Sequence, residues 1–125
     1  MLNQEGQLTL IDFSRAKRYV DVKGHLLEVT DNVFNGSAFA SNSQVKGGLE
    51  GRKDDLESLG YFALLLMEYD IPWNGLNKEN TIKIRSTITL QELFRGNHKW
   101  IEFMATVMRT RRNERPDYRR LQDIL

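Results

Sequence analysis

The densest apolar stretch of this chain runs unbroken from Tyr61 to Met67, and the acids Asp54, Asp55 and Glu57 stand just before it. Seven apolar residues in a row suit a buried strand as well as a helix, and the chemistry ahead of them decides for helix. Asp54 followed three residues later by Glu57 has the spacing of a capping box, and an aspartate accepts from the free N–H groups of a first turn. Leu56, Leu59, Ala63, Leu66 and Met67 keep helical spacing, while Tyr61, Phe62, Leu64 and Leu65 fill the other faces. The pattern predicts a helix over 53–69, apolar all round and therefore enclosed by protein. At roughly 15 residues it is too short to cross a membrane, which takes about 20.

The remaining pattern places lesser elements around this axis. Leu8 to Ile11 predicts a short strand, and the weak alternation from Ala16 to Thr30 an irregular hairpin or an extended loop. From Asp31 to Arg52 asparagine, serine and glycine predominate, which predicts a long loop with one helical turn near 43–46. Loops this long are usually functional or disordered; Val33, Phe34 and Phe39 anchor this one and favour function. Pro72 and Gly75 punctuate a turn. Helices are then expected over 77–86, over 89–94 with Thr89 and Glu92 at its cap, and from Asn97 with Trp100, Ile101, Met104, Val107 and Met108 on one stripe. A last one over 117–125 faces inward with Tyr118, Leu121, Ile124 and Leu125. The fold class is mainly α, a central buried helix with surrounding helices and a short N-terminal β segment.

Composition adds bounds rather than a partner. The chain has 125 residues, which suits one domain. Charged residues make up 28% with a formal net charge of +1, so bulk electrostatics selects nothing. Cysteine is absent, which excludes disulfides and thiolate metal sites. The opening residues lack the regions of a signal peptide, so a cytoplasmic or nuclear location is expected.

Few residues carry chemistry when taken singly. Asp12, directly after the expected strand, suits a metal or a turn cap. His25 has no second ligand at metal spacing and reads as a loop residue. Ser37, Ser41 and Ser43 offer hydroxyls that any serine-rich loop offers. Arg109, Arg111, Arg112, Arg115, Arg119 and Arg120 form a basic cluster with only Tyr118 as an aromatic platform. That argues against nucleic acid and for a solvated or acid-paired junction.

Taken in order, Asp12-Phe13-Ser14, NGSAFAS (35–41), RKDDLESLGY (52–61), IPWNGL (71–76) and RPDYRRL (115–121) resemble the C-terminal lobe of casein kinase I family protein kinases. That family carries DFG, TGTxRYAS, SRRDDLESLGY, LPWQGL and KPDYxxL in the same order. The resemblance implies a partial kinase domain, with a metal-binding turn and activation-loop-like region over 8–52 and a helical subdomain over 53–125. It implies Mg²⁺ and ATP as cofactors, with Asp12 the metal-binding aspartate. Phe13 is the phenylalanine packing toward the N-lobe, and Asp55, five residues before Gly60, the aspartate bracing the catalytic loop. Asn35, Gly36 and Ser37 belong to the loop cradling the substrate. Arg52 belongs to a basic site for an anion or prephosphorylated substrate. Protein substrates or a partner kinase lobe are the implied partners, with neither nucleic acid nor membrane.

The departures carry equal weight. Phosphoryl transfer by a kinase takes a Gly-rich loop, a strand lysine with its glutamate, and an HRDxxxxN catalytic loop, and none is in these residues. No general-base aspartate is therefore present. Ser14 replaces a glycine able to take positive φ, Ser37 keeps a hydroxyl in place of threonine, and Phe39 loses that of a tyrosine. The expectation is a serine/threonine kinase lobe that holds ATP poorly and is inactive as it stands. The alternative is a pseudokinase-like module binding protein partners or substrates. An unrelated helical binding domain leaves the ordered motifs without an account.

Overall fold

The computed structural model describes residues 2–27 and 34–125. Six helices follow one another: α1 (Asn42–Lys46), α2 (Arg52–Leu66), α3 (Lys78–Thr87), α4 (Leu90–Leu93), α5 (His98–Arg109) and α6 (Tyr118–Ile124). Most starts are set by short polar side chains satisfying first-turn N–H groups. Ser41 and Gln44 form a full capping box on α1, as Thr89 and Glu92 do on α4. Asn77, Asn97 and Asp117 cap α3, α5 and α6.

The capping expectation for α2 is corrected. Its first turn starts at Gly51, whose N–H donates to Asp54 Oδ2 at 2.6 Å. Glu57 is a full turn inside the helix and takes no part in the cap. It is buried, and its Oε1 accepts from Tyr61 Oη at 2.8 Å and from the Asn42 N–H at 2.9 Å.

Helix α2 is central because its buried side meets the rest of the core. Tyr61 and Leu64 join Trp73, Leu93, Phe94, Phe103, Met104, Val107 and Leu121 in one cluster. The approach of α2 to α5 is close at Gly60, where an added Cβ would stand 2.0 Å from Met104 Sδ. Tyr61 meets the Trp73 ring edge-on at 5.1 Å, and Trp100 meets Phe103 likewise at 5.1 Å.

The reading of α2 as enclosed on all sides does not hold. Leu59, Phe62, Leu65 and Leu66 are 46%, 39%, 52% and 69% exposed, so one side of the apolar rod faces solvent. The buried face is instead Asp54, Glu57, Gly60, Tyr61, Ala63 and Leu64, a stripe that includes two acids and a glycine.

No strand forms over Leu8–Ile11. Leu8 makes only an isolated bridge with Leu2, and Leu8, Leu10 and Ile11 are exposed. A branched run forms a stable strand only with a continuous ladder and a surface to cover, and here the single bridge is not extended and the apolar side chains stay exposed. Of the hairpin or extended loop expected after Ala16, the residues through Leu27 form a hairpin, with Val20 bridged to Leu26 around a turn. Asp21 Oδ1 builds that turn by accepting from the N–H groups of Lys23 and His25 at 2.8 and 2.9 Å. Val29 and Val33 lie outside the described residues. Among the described residues no helix is long and apolar enough to cross a membrane.

Candidate functional site

Two clefts lie side by side between the N-terminal segment and the start of α2. The smaller, about 280 Å³, has Arg15, Lys17, Arg18, Arg52 and Arg112 in its wall, with Glu50 and Asp55 as acids. Tyr19 lines it too, between two of these cations: the Arg52 guanidinium carbon is 5.1 Å from the ring centre and that of Arg112 5.7 Å. Arg52 Nε is buried with no hydrogen-bond partner. Five cations against two acids make this an anion-favouring hollow with forked donors in its wall.

The larger cleft, about 760 Å³, is lined by Ser14, Arg15 and Lys17 together with Asn35, Ser37 and Phe39, and by Gln44, Glu50 and Ser58. Asn35 Oδ1 accepts from the Ser37 N–H at 3.1 Å, and Ser37 Oγ from the Phe39 N–H at 3.3 Å, so the loop turns on its own side chains. Gly36 sits between them at φ 82°, a conformation that suits glycine. Arg15 and Lys17 line both clefts and give the two hollows a shared basic wall.

The residues singled out in the sequence thus fall into two groups and two outliers. Asn35 and Ser37 line one cleft, while Arg52 and Asp55 line the other. Asp12 and Phe13 line neither and are exposed. Asp12 adopts φ 62°, and its Oδ1 accepts from the Ser14 N–H at 3.2 Å. The Ser14 hydroxyl and N–H hold its carboxyl below the usual aspartate range, with a smaller contribution from Arg15. Among the described residues no group of three or more His, Cys, Asp or Glu side chains is placed to hold a metal ion. The one aspartate that the resemblance assigns to the metal is turned onto its own backbone.

Asp55 is exposed on the rim of the basic cleft, and its carboxyl is pushed up by partial desolvation and by the neighbouring charge of Asp54. Asp54 itself is buried, with Oδ1 unpartnered.

Several functional-site contributors escaped the sequence reading, among them the cleft residues Arg15, Lys17, Arg18 and Tyr19, and two more stand out by their contacts. Among the described residues Arg112 forms no ion pair: its Nε donates to the Glu50 carbonyl at 2.9 Å and its terminal nitrogen to the Leu27 carbonyl at 2.7 Å. Tyr19 Oη donates in turn to the Arg112 carbonyl. The hairpin, the α1–α2 turn and the segment after α5 are thereby tied at one residue. Nothing in an arginine-rich run distinguishes the member that reaches back 62 and 85 residues to find carbonyls. The second is Arg85 on α3, half-buried beneath the 38–42 segment.

No family model matches the chain. Casein kinase I homolog 2 of Schizosaccharomyces pombe is 31% identical over 126 residues, covering 92% of this chain and 29% of the relative. Casein kinase I homolog 3 of the same organism is 30% identical over 131 residues, with 96% and 30% covered. A probable casein kinase I homolog of Encephalitozoon cuniculi is 27% identical over 137 residues, with 100% and 43% covered. The chain spans less than half the length of each of these curated relatives.

Proposed function

This chain is homologous to a part of the casein kinase I proteins, and from that premise we propose that it is C-lobe sequence of a serine/threonine protein kinase. In this reading residues 8–52 are the metal-binding turn and activation-loop-like region, and 53–125 the helical subdomain. Asn35, Gly36 and Ser37 receive the protein substrate, and Asp55 braces a catalytic loop. Arg52, together with Arg15, Lys17, Arg18 and Arg112, holds an anionic group of that substrate. The supporting observation is the pair of adjoining clefts. Ser14, two residues after Asp12, lines one of them together with Asn35 and Ser37, and Arg15 and Lys17 line both.

Phosphoryl transfer rests on positioning and electrostatics, with Mg²⁺ neutralising the nucleotide phosphates when it is bound. These 125 residues carry neither a Gly-rich loop nor a His-Arg-Asp sequence, so they do not transfer phosphate as they stand. The test is transfer of labelled phosphate from Mg-ATP to an acidic serine peptide, and turnover well above background overturns this reading.

A second reading, a non-catalytic module that binds a kinase lobe or substrate, is favoured by the bare apolar side of α2. Leu59, Phe62, Leu65 and Leu66 form an exposed patch of the kind that meets partners. Thermal melting with Mg-ATP tests it, because a ligand that binds only the folded chain raises its melting point. Stabilisation by the nucleotide excludes this second reading.

A further inference from the structure

Helix α3 contributes one half-buried cation, Arg85, that is in no ion pair among the described residues. Among the described residues the two ion pairs are His25 with Asp21 and Arg95 with Asp70, and neither involves Arg85. The Arg85 guanidinium carbon is 4.4 Å from the ring centre of Tyr61 and 4.3 Å from that of Trp73. Its two terminal nitrogens donate to one short stretch of chain, while its Nε is buried without a hydrogen-bond partner. One terminal nitrogen reaches the Ala40 carbonyl at 2.8 Å and Asn42 Oδ1 at 3.2 Å, and the other reaches the Ala38 carbonyl at 3.4 Å. Trp73 Nε1 donates to the same Ala38 carbonyl at 2.7 Å.

These acceptors belong to backbone that has no ladder or helix to satisfy it. The segment leaves the Asn35–Ser37 turn, runs as irregular chain through Ala38 to Ala40, and enters α1 at Asn42. Partly buried carbonyls in such a stretch need donors from elsewhere. A guanidinium seated in the corner of two nearly perpendicular rings supplies several donors in fixed directions, which an apolar side chain of equal volume does not and an ammonium does from one point only. The rings are themselves fixed, since Tyr61 is held by Glu57 and both rings belong to the core cluster.

We infer that Arg85 is the positioning residue of the 35–42 segment. It sets the direction of the Ala38 and Ala40 carbonyls, and through them how Asn35 and Ser37 are presented to the cleft they share with Ser14 and Lys17. This goes beyond the kinase reading and does not rest on it, because the loop's conformation is measured directly and not through activity.

The test uses the whole 125-residue chain, with Arg85→Met, Arg85→Lys and Arg85→Gly variants followed by residue-resolved amide hydrogen exchange. Losing hydrogen bonds from a charged donor predicts exchange roughly tenfold faster or more at Phe39 to Asn42 in Arg85→Met. The Trp73 indole N–H resonance moves with it, while the amides of Met104 and Val107 in α5 keep their protection. Arg85→Lys does not restore the loop, whereas millimolar guanidinium does so in Arg85→Gly. Unchanged protection at Phe39 to Asn42, or an Arg85→Lys chain that behaves as wild type, overturns the proposal. So does an equal loss of protection in α5, which assigns Arg85 to general stability. If Arg85→Met does not fold, Arg85→Lys decides on the same readout.

Discussion

Glu57 Oε1 accepts from the backbone N–H of Asn42, 2.9 Å away and fifteen residues earlier in the chain. The same oxygen accepts from Tyr61 Oη, so one buried carboxylate fastens the first turn of α1 to the middle of α2. Removing it leaves a buried N–H and a buried phenol without their partner, and strips Arg85 of its nearby negative charge. Glu57→Ala is therefore expected to cost roughly 3 kcal/mol of unfolding free energy, read from the denaturant midpoint. Glu57→Gln keeps an acceptor and is expected to cost less than half of that. A midpoint unmoved in Glu57→Ala shows that α1 is fastened by something else.

Gly60 tests the packing of α2 on α5. In an open helix Gly→Ala gains up to about 1 kcal/mol, from propensity alone. Here the added methyl meets Met104 Sδ at 2.0 Å, and overpacking of this kind costs about 1–3 kcal/mol. The clash outweighs the propensity, so Gly60→Ala is expected to destabilise. Adding Met104→Ala to Gly60→Ala should recover part of the loss, and a double-mutant cycle by urea unfolding measures the coupling.

What the sequence disclosed follows from how far each interaction reaches. Caps are local, so Thr89 with Glu92 and the Asn97 cap were legible, as were α3 and the short turn of α1. The family motifs were legible because they are ordered strings of residues. Which side of α2 is buried was not, because an all-apolar pattern holds no contrast: Leu59 and Leu66 look as inward as Ala63. Glu57 was misread for a related reason, since at capping spacing a local role comes to mind before a partner fifteen residues back. The basic cleft draws Arg15, Arg52 and Arg112 from three separate parts of the chain, and no spacing rule joins them.

Arg112 is expected to govern the hairpin rather than the core. Arg112→Met keeps the stem but loses the donors to the Glu50 and Leu27 carbonyls and the stack against Tyr19. Hydrogen bonds from a charged group are worth about 1.5–3 kcal/mol each, and the partial exposure of Arg112 puts the expected loss at the low end of their sum, about 3 kcal/mol, concentrated at Tyr19 to Leu27. Trypsin, cutting after Lys23 on the exposed turn, should act several-fold faster on the variant under native conditions. An unchanged cutting rate shows that the hairpin is held by its own turn.

Asp55 gives a pH dependence whose sign is fixed by its surroundings. Partial desolvation and then the charge of Asp54 raise its pKa in the folded chain. The helix N-terminus pulls the other way, but Asp55 lies at the end of the first turn, where that field fades. A carboxyl raised on folding binds more protons in the native state between its unfolded and folded pKa values. Its contribution to stability therefore falls as pH rises through that window. Asp55→Asn is expected to be at least as stable as wild type at neutral pH, with the difference shrinking in acid as the native carboxyl protonates. Paired urea melts at the two pH values check this, and a variant less stable at neutral pH reverses the sign.

The bare side of α2 makes the last prediction. Leu59, Phe62 and Leu66 follow one another at helical spacing, Leu65 flanks them, and Phe39 meets Phe62 edge-on at 5.5 Å. Because these side chains are already in water, replacing them alters the folded state little, within about 0.5 kcal/mol at a surface position. Joining two copies of the patch removes apolar area from water, which drives association with concentration. Leu59→Gln with Leu66→Gln is therefore expected to reduce self-association in sedimentation velocity while the melting temperature stays where it was. A fall in melting temperature of several degrees shows instead that the leucines belong to the core. Association that survives both changes places the sticky surface on another exposed run, such as Leu8, Leu10 and Ile11.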